Sequence, residues 1–61
     1  PNCFMKEYLK AIIGARTAKD VLLFDSLTEA CKINADMKAK AKNDMEFAKY
    51  FENPKFKAIV E

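Results

Sequence analysis

The stretch FMKEYLKAIIGARTAKDVLLF, residues 4–24, decides the fold, because its apolar side chains recur at helical spacing on both sides of a turn. Before Gly14 they follow the i, i+1, i+4, i+5 pattern of one helix side: Phe4, Met5, Tyr8, Leu9, Ile12 and Ile13. Gly14 is expected to end this helix, since glycine adopts the left-handed C-cap conformation without strain. Asn2 is expected to cap its start. A first helix is therefore predicted over residues 3–13, with this apolar side facing the core.

A second helix is predicted over residues 18–32, directly after the turn. Thr17 and Asp20 form a Thr-x-x-Asp pattern, which is typical of a capping box at a helix start. The side that is expected to face the core consists of Leu23, Phe24, Leu27, Ala30 and Cys31, widened by Val21 and Leu22. Because the turn is short, the two helices are expected to form an antiparallel hairpin.

The rest of the chain has a helical pattern as well. A third helix is predicted over residues 35–52, with an apolar side made of Met37, Ala41, Met45, Ala48 and Phe51. It must end before Pro54, since the residue before a proline avoids helical backbone. An Asn-x-x-Glu pattern at residues 43–46 leaves a break at Asn43 open as an alternative. A short fourth helix is predicted over residues 54–60.

The sequence thus predicts an all-α fold, a small bundle of three main helices plus a short C-terminal helix, in a single domain over residues 1–61. The chain has no His, one Gly and two Cys. An ordinary zinc site, histidine acid–base catalysis and a glycine-rich phosphate loop are therefore excluded. The carboxylate pair Asp25 and Glu29 is expected to be solvated helix surface. We expect no enzymatic activity, no metal and no cofactor.

The two cysteines are predicted to form a disulfide. In a hairpin that turns near residues 14–16, Cys3 and Cys31 both approach the open end. Such a bridge would add roughly 3–4 kcal/mol, and a domain this small is expected to need added stabilisation. It would also indicate an oxidising compartment, so a secreted or periplasmic location is predicted, with a cytoplasmic one as the alternative. The other reading of Cys31 is a small buried hydrophobic residue.

The net charge of +2 comes entirely from residues 32–61, which hold seven Lys against five acidic residues. Lys38, Lys40 and Lys42 are two residues apart, so a helix spreads them around its circumference and a solvated surface is expected. Acidic neighbours such as Asp36 and Glu46 argue against nucleic acid as a partner. Contact with an anionic membrane surface is possible but not favoured.

The C-terminal third mixes aromatic and lysine side chains, and some of them lie outside a single core-facing side. We therefore predict a partner-binding set made of Phe47, Lys49, Tyr50, Lys55, Phe56 and Lys57. The function predicted from this surplus is that of a small non-enzymatic protein that binds another protein or a second copy of itself. A secreted or periplasmic effector, inhibitor or exclusion factor would act in this way. The alternative is a cytoplasmic module that binds nucleic acid or anionic membrane through the lysine-rich third helix and the C-terminal aromatics.

Overall fold

The structure, a computed structural model, describes residues 3–61, and within that range it contains five helices and no strand. The elements are α1 (Phe4–Arg16), α2 (Asp20–Ile33), α3 (Asp36–Lys42), a 3-10 helix (Met45–Tyr50) and α4 (Pro54–Val60). The predicted all-α class is confirmed. The cap expected at Asn2 lies outside the described residues.

Helices α1 and α2 form the predicted hairpin, but Gly14 has a different role from the expected one. It lies inside α1, which continues to Arg16. A Cβ built on Gly14 would lie 2.6 Å from the backbone nitrogen of Leu23 and 2.9 Å from its Cα. The prediction that Gly14 ends the helix is therefore wrong. Glycine is needed at this position because the backbone of α2 packs directly against α1.

The turn after α1 is a Schellman motif built on an alanine. Lys19 N donates to the Gly14 carbonyl at 2.8 Å, and Ala18 N donates to the Ala15 carbonyl at 3.4 Å. Ala18 has a φ of 57°, the left-handed conformation that usually selects glycine. The sequence therefore places its glycine at the helix crossing and an alanine at the turn.

Thr17 closes α1 and does not cap α2. Its hydroxyl donates to the Ile13 carbonyl at 2.7 Å. Helix α2 begins at Asp20, and Lys19 precedes it without a side-chain capping bond. The predicted capping box is wrong because the Schellman motif already uses this segment to end the preceding helix.

The predicted single helix over residues 35–52 is also wrong, and the alternative break at Asn43 is confirmed. Helix α3 ends at Lys42, and the Asn43 side chain donates back to the Ala39 carbonyl at 3.0 Å. Asp44 caps the 3-10 helix by accepting from Glu46 N at 3.0 Å. The short C-terminal helix over residues 54–60 is confirmed as α4.

The start of α4 is capped by residues that are adjacent in the sequence. The Asn53 side chain accepts from Lys55 N at 2.8 Å and from Phe56 N at 3.3 Å. Pro54 follows as the first helical residue, where its missing N–H leaves no bond unmade. Capping residues adjacent in sequence therefore define this helix start.

The core lies between the hairpin and the three C-terminal elements. Phe47 is at its centre, with ring centroids 5.6 Å from Tyr8 and 5.7 Å from Phe56. Each element contributes to the cluster of buried residues: Tyr8, Ala11, Ala15, Leu23, Leu27, Ala30, Cys31, Met37, Ala41, Phe47, Phe56 and Val60. The side of α1 that faces this core combines one large ring with small residues.

The predicted disulfide is wrong, because Cys3 and Cys31 are not at disulfide distance. The contact of Gly14 with Leu23 fixes a hairpin register that places Cys3 opposite about residue 34, one turn beyond Cys31. Cys3 is exposed, whereas Cys31 is buried and turned towards α3 and α4. The register rests on a glycine contact that the sequence pattern did not reveal.

Candidate functional site

The aromatic members of the predicted partner-binding set hold the fold together. Phe47 is 0% exposed and Phe56 is buried beside it. Tyr50 is half-buried, with its ring edge-on to Phe24 at 6.0 Å and its hydroxyl donating to Asp20 at 2.8 Å. In this fold these side chains offer little surface to a partner.

The lysines of that set are exposed, and the structure does not bring them together. Lys49 lines a cleft beside Arg16, Lys55 lines one beside Val21, and Lys57 lies at a third. Lys57 also pairs with Glu52 at 3.1 Å. The predicted set is therefore divided between the core and three separate parts of the surface, and binding there stays a prediction.

A polar cluster joins α1 to the break at residues 43–44. The Tyr8 hydroxyl donates to Asp44 Oδ2 at 2.6 Å, and the Lys40 ammonium lies 5.4 Å from the Tyr8 ring centroid. Burial, followed by the bond to Asp44, raises the pKa of Tyr8, while that bond lowers the pKa of Asp44. Tyr8 therefore stays protonated as a hydrogen-bond donor inside the core. The cluster holds α1 against the segment between α3 and the 3-10 helix.

A second polar contact joins the end of α1 to the 3-10 helix. Arg16 donates to both carboxylate oxygens of Glu46, at 2.9 Å from Nε and 2.6 Å from Nη2. The bond from Arg16 lowers the pKa of Glu46. Each charge is matched by the other in a bidentate pair, so neither is left to attract an outside ligand.

The thiol of Cys31 lines a surface cleft with Lys38 and Ile59. Burial raises the pKa of Cys31, and the nearby ammonium of Lys38 opposes this effect without reversing it. A reactive cysteine needs the opposite shift, because only the thiolate is nucleophilic. Cys31 therefore packs as a small hydrophobic residue, the second of the two readings that the sequence allowed.

An exposed apolar ridge runs along α1, formed by Met5, Leu9 and Ile13, and we call it the α1 ridge. These side chains are 47%, 55% and 53% exposed. Their spacing of four residues places them on one line along the helix. The prediction that all six apolar residues of this segment face the core is wrong for these three.

The reason for this orientation lies in residue size. The side of α1 that packs on α2 contains Ala11, Gly14 and Ala15, which let the two backbones approach closely. Tyr8 lies beside them and fills the centre of the bundle. Leu9 is one residue further along, about 100° around the helix, so the ridge is turned into solvent.

Lysines border the α1 ridge along one edge. Lys6 and Lys10 are each three residues from a ridge member, at the spacing of neighbours on a helix surface. Within residues 3–61, Lys6 has no carboxylate at ion-pair distance, and Lys10 makes a long contact of 3.5 Å with Glu7. The ridge thus has a positive border.

The other large apolar side chains that are exposed in the described range are isolated from one another. Val21, Ile33 and Met45 lie near the start of α2, at its end and in the 3-10 helix. Single exposed apolar residues are normal on protein surfaces, whereas an aligned row is not. The α1 ridge is therefore the candidate functional site, and the helical repeat of residues 5, 9 and 13 was the sequence signal for it.

The comparisons with known proteins add no family. No family model matches the sequence, and no similar curated protein or solved structure was found. Among the described residues, none of the helices has the length and apolar character needed to cross a membrane. The candidate site therefore rests on the geometry of this chain.

Proposed function

We propose that this is a non-enzymatic protein that acts by binding another protein along the α1 ridge. The observation that carries the proposal is that Met5, Leu9 and Ile13 stay about half exposed although the core is closed without them. Leaving such side chains in water forgoes on the order of 1 kcal/mol each. A protein surface that covers them recovers that free energy.

The shape of the ridge supports a helical or helix-like partner. Helix α1 has 13 residues and is about 20 Å long. Anchors repeated every three to four residues are typical of helices that dock into grooves or pair with another helix. An effector, inhibitor or exclusion factor would act by covering a partner surface in this way.

Binding to nucleic acid or anionic membrane through the third helix has less support. The Lys38 ammonium donates to the Glu61 carbonyl at 3.2 Å, and Lys40 lies over the Tyr8 ring. The lysine-rich segment is therefore partly engaged within the fold. No secreted or periplasmic location is proposed, because that prediction depended on a disulfide between Cys3 and Cys31.

A selection from a displayed library of helical peptides tests the proposal, with Leu9→Ser and Val21→Ser as matched variants. Both positions are exposed apolar residues, and Val21 is even more exposed at 73%. We expect selected peptides to lose at least tenfold in affinity for Leu9→Ser and to keep it for Val21→Ser. Peptides that bind both variants equally, or a selection without binders, would contradict the proposal.

A further inference from the structure

We infer that the partner segment is an acidic amphipathic helix that lies along α1, with its apolar side on the α1 ridge and its carboxylates against Lys6 and Lys10. This inference rests on the proposed function and adds the chemistry of the partner. The charges around the ridge and the narrow width of its apolar surface carry it.

One edge of the ridge is positive, and the basic residue at its C-terminal end is neutralised. Lys6 is exposed and has no carboxylate at ion-pair distance within residues 3–61, and Glu7, which contacts Lys10, points to the opposite side of α1. Arg16 lies seven residues after Leu9, in line with the ridge at its C-terminal end, where both oxygens of Glu46 accept from it. Glu or Asp residues on a docked helix would therefore meet the unpaired charge of Lys6 and the charge of Lys10, which is held only by its long contact with Glu7, and lysines would be repelled.

A second copy of the chain fits this border poorly. In an antiparallel pair centred on Leu9, the edge with Lys6 and Lys10 lies against the same edge of the other copy, so like charges meet. A stable dimer also needs about 800 Å² from each partner. That is about one fifth of this chain's total surface of 4002 Å², and three half-exposed side chains supply less.

A lipid surface also fits poorly. The ridge residues lie within an arc of about 80° around α1, which is the narrow width of a helix-pairing seam. Helices that lie in a membrane interface bury a broad apolar side in the headgroup region. A single helix with a matching row of apolar side chains covers the ridge more completely.

Three synthetic peptides of equal length test the inference against the full chain. The first has Leu at positions i, i+4 and i+8 with Glu beside them; the second has Lys in place of Glu; the third keeps Glu but has Ser in place of Leu. Fluorescence anisotropy at low and high salt gives the affinities. We expect the first peptide to bind at least tenfold more tightly than the other two, and more weakly as salt increases.

Two charge-reversed variants provide the matched comparison. Lys6→Glu/Lys10→Glu should weaken binding of the acidic peptide about tenfold or more and improve binding of the basic peptide. Lys49→Glu/Lys55→Glu changes the same number of charges within the set that the sequence predicted and should leave both affinities unchanged. Circular dichroism of each variant checks that the helix content is unchanged.

The possible results separate the inference from the proposed function. Equal binding of acidic and basic peptides that depends on Leu9 would overturn the acidic partner and leave docking on the ridge intact. Peptide binding that is unchanged in Leu9→Ser, or a lack of binding by every peptide, would overturn both the acidic partner and docking on the ridge. Two further results would overturn the inference if Leu9→Ser abolishes them: self-association in sedimentation, and tighter binding to vesicles of anionic phospholipid than to the acidic peptide. In either case a second copy of the chain or a lipid surface would occupy the ridge.

Discussion

The α1–α2 hairpin and the C-terminal half of the chain, residues 34–61, reach helical structure in different ways. The hairpin consists of helices of 13 and 14 residues whose backbones touch at Gly14. The C-terminal half consists of elements of seven, six and seven residues. Helices this short have little stability of their own, so they depend on side chains that reach the hairpin.

This difference indicates a division of roles within the molecule. The C-terminal elements cover the inner side of the hairpin through Phe47, Tyr50 and Asp44. The outer side of α1 is left uncovered and holds the candidate docking ridge. Substitutions can therefore test three things separately: the packing of the C-terminal elements on the hairpin, the stability of the hairpin itself, and binding at the α1 ridge.

The largest effect is expected from Phe47→Ala, which removes the ring at the centre of the core. Loss of a fully buried Phe costs about 3–5 kcal/mol, which is comparable with the whole stability of such a small domain. Urea unfolding followed by circular dichroism measures the change, with half-buried Phe51→Ala as a milder control. A folded, equally stable variant that fails to bind a partner would support the docking role predicted from the sequence.

Gly14→Ala should destabilise the hairpin by about 1–3 kcal/mol or more, because the new Cβ would overlap the Leu23 backbone. Helix propensity alone predicts the opposite sign, since alanine is favoured over glycine by about 1 kcal/mol inside a helix. Thermal and urea unfolding measure the difference. An increase in stability would show that the two backbones are not this close.

Acid should weaken the contact between the hairpin and the C-terminal half. The bond from Tyr8, then that from Glu46 N, lowers the pKa of Asp44 in the folded protein. The resulting stabilisation is complete above the unfolded pKa of about 4, and it is lost as the pH falls through the lowered folded pKa. Asp44→Asn should reduce the free energy of unfolding at pH 7 by about 1 kcal/mol.

The variant also shows whether Asp44 carries this pH dependence. The free energy of unfolding of Asp44→Asn should fall less between pH 5 and about pH 2 than that of the parent protein. Asp25→Asn removes an exposed carboxylate of α2 and serves as the matched control. Parallel curves for the parent and Asp44→Asn would contradict the assignment.

Ala18→Gly should stabilise the hairpin by about 0.5–1 kcal/mol. Glycine adopts the left-handed conformation at this position without the steric cost of a Cβ, which exceeds the added chain entropy of the unfolded state. Equilibrium unfolding is the measurement. The opposite signs expected for Gly14→Ala and Ala18→Gly make these two variants a direct test of the turn and the crossing.

The smallest effect on stability is expected from Leu9→Ser, within about 0.5 kcal/mol, because Leu9 lies on the outer side of α1. Its effect on binding should be large by comparison. Tyr8→Ser, one residue away, faces the core and should unfold much of the protein. A comparable loss of stability for both variants would place the ridge in the core and remove the basis for docking.

Much of the local structure could be predicted from the sequence. Asn53 and Pro54 defined the start of α4 because capping depends on adjacent residues. The break at Asn43 was visible as an alternative, but helical periodicity continues across it. Long-range contacts decide that the helix breaks there, since Tyr8 bonds to Asp44 and Phe47 fills the core.

The candidate site was harder to predict for the same reason. The sequence showed aromatic residues in the C-terminal third beyond one apolar side, and this excess suggested binding. The structure uses Phe47 and Phe56 in the core and Tyr50 against α2. The exposed apolar surface lies instead on α1, where the sequence pattern suggested only a core.

The sequence by itself determined that this chain is helical, where α4 begins, and that histidine and glycine-loop chemistry are absent. Only the tertiary structure decided which side of α1 is buried. Both the row with Tyr8 and the row with Leu9 have helical spacing, so periodicity does not distinguish them. Ala11, Gly14 and Ala15 do, because helices pack most closely where side chains are smallest. Tyr8 lies beside these small residues and is buried, while Met5, Leu9 and Ile13 are left in solvent.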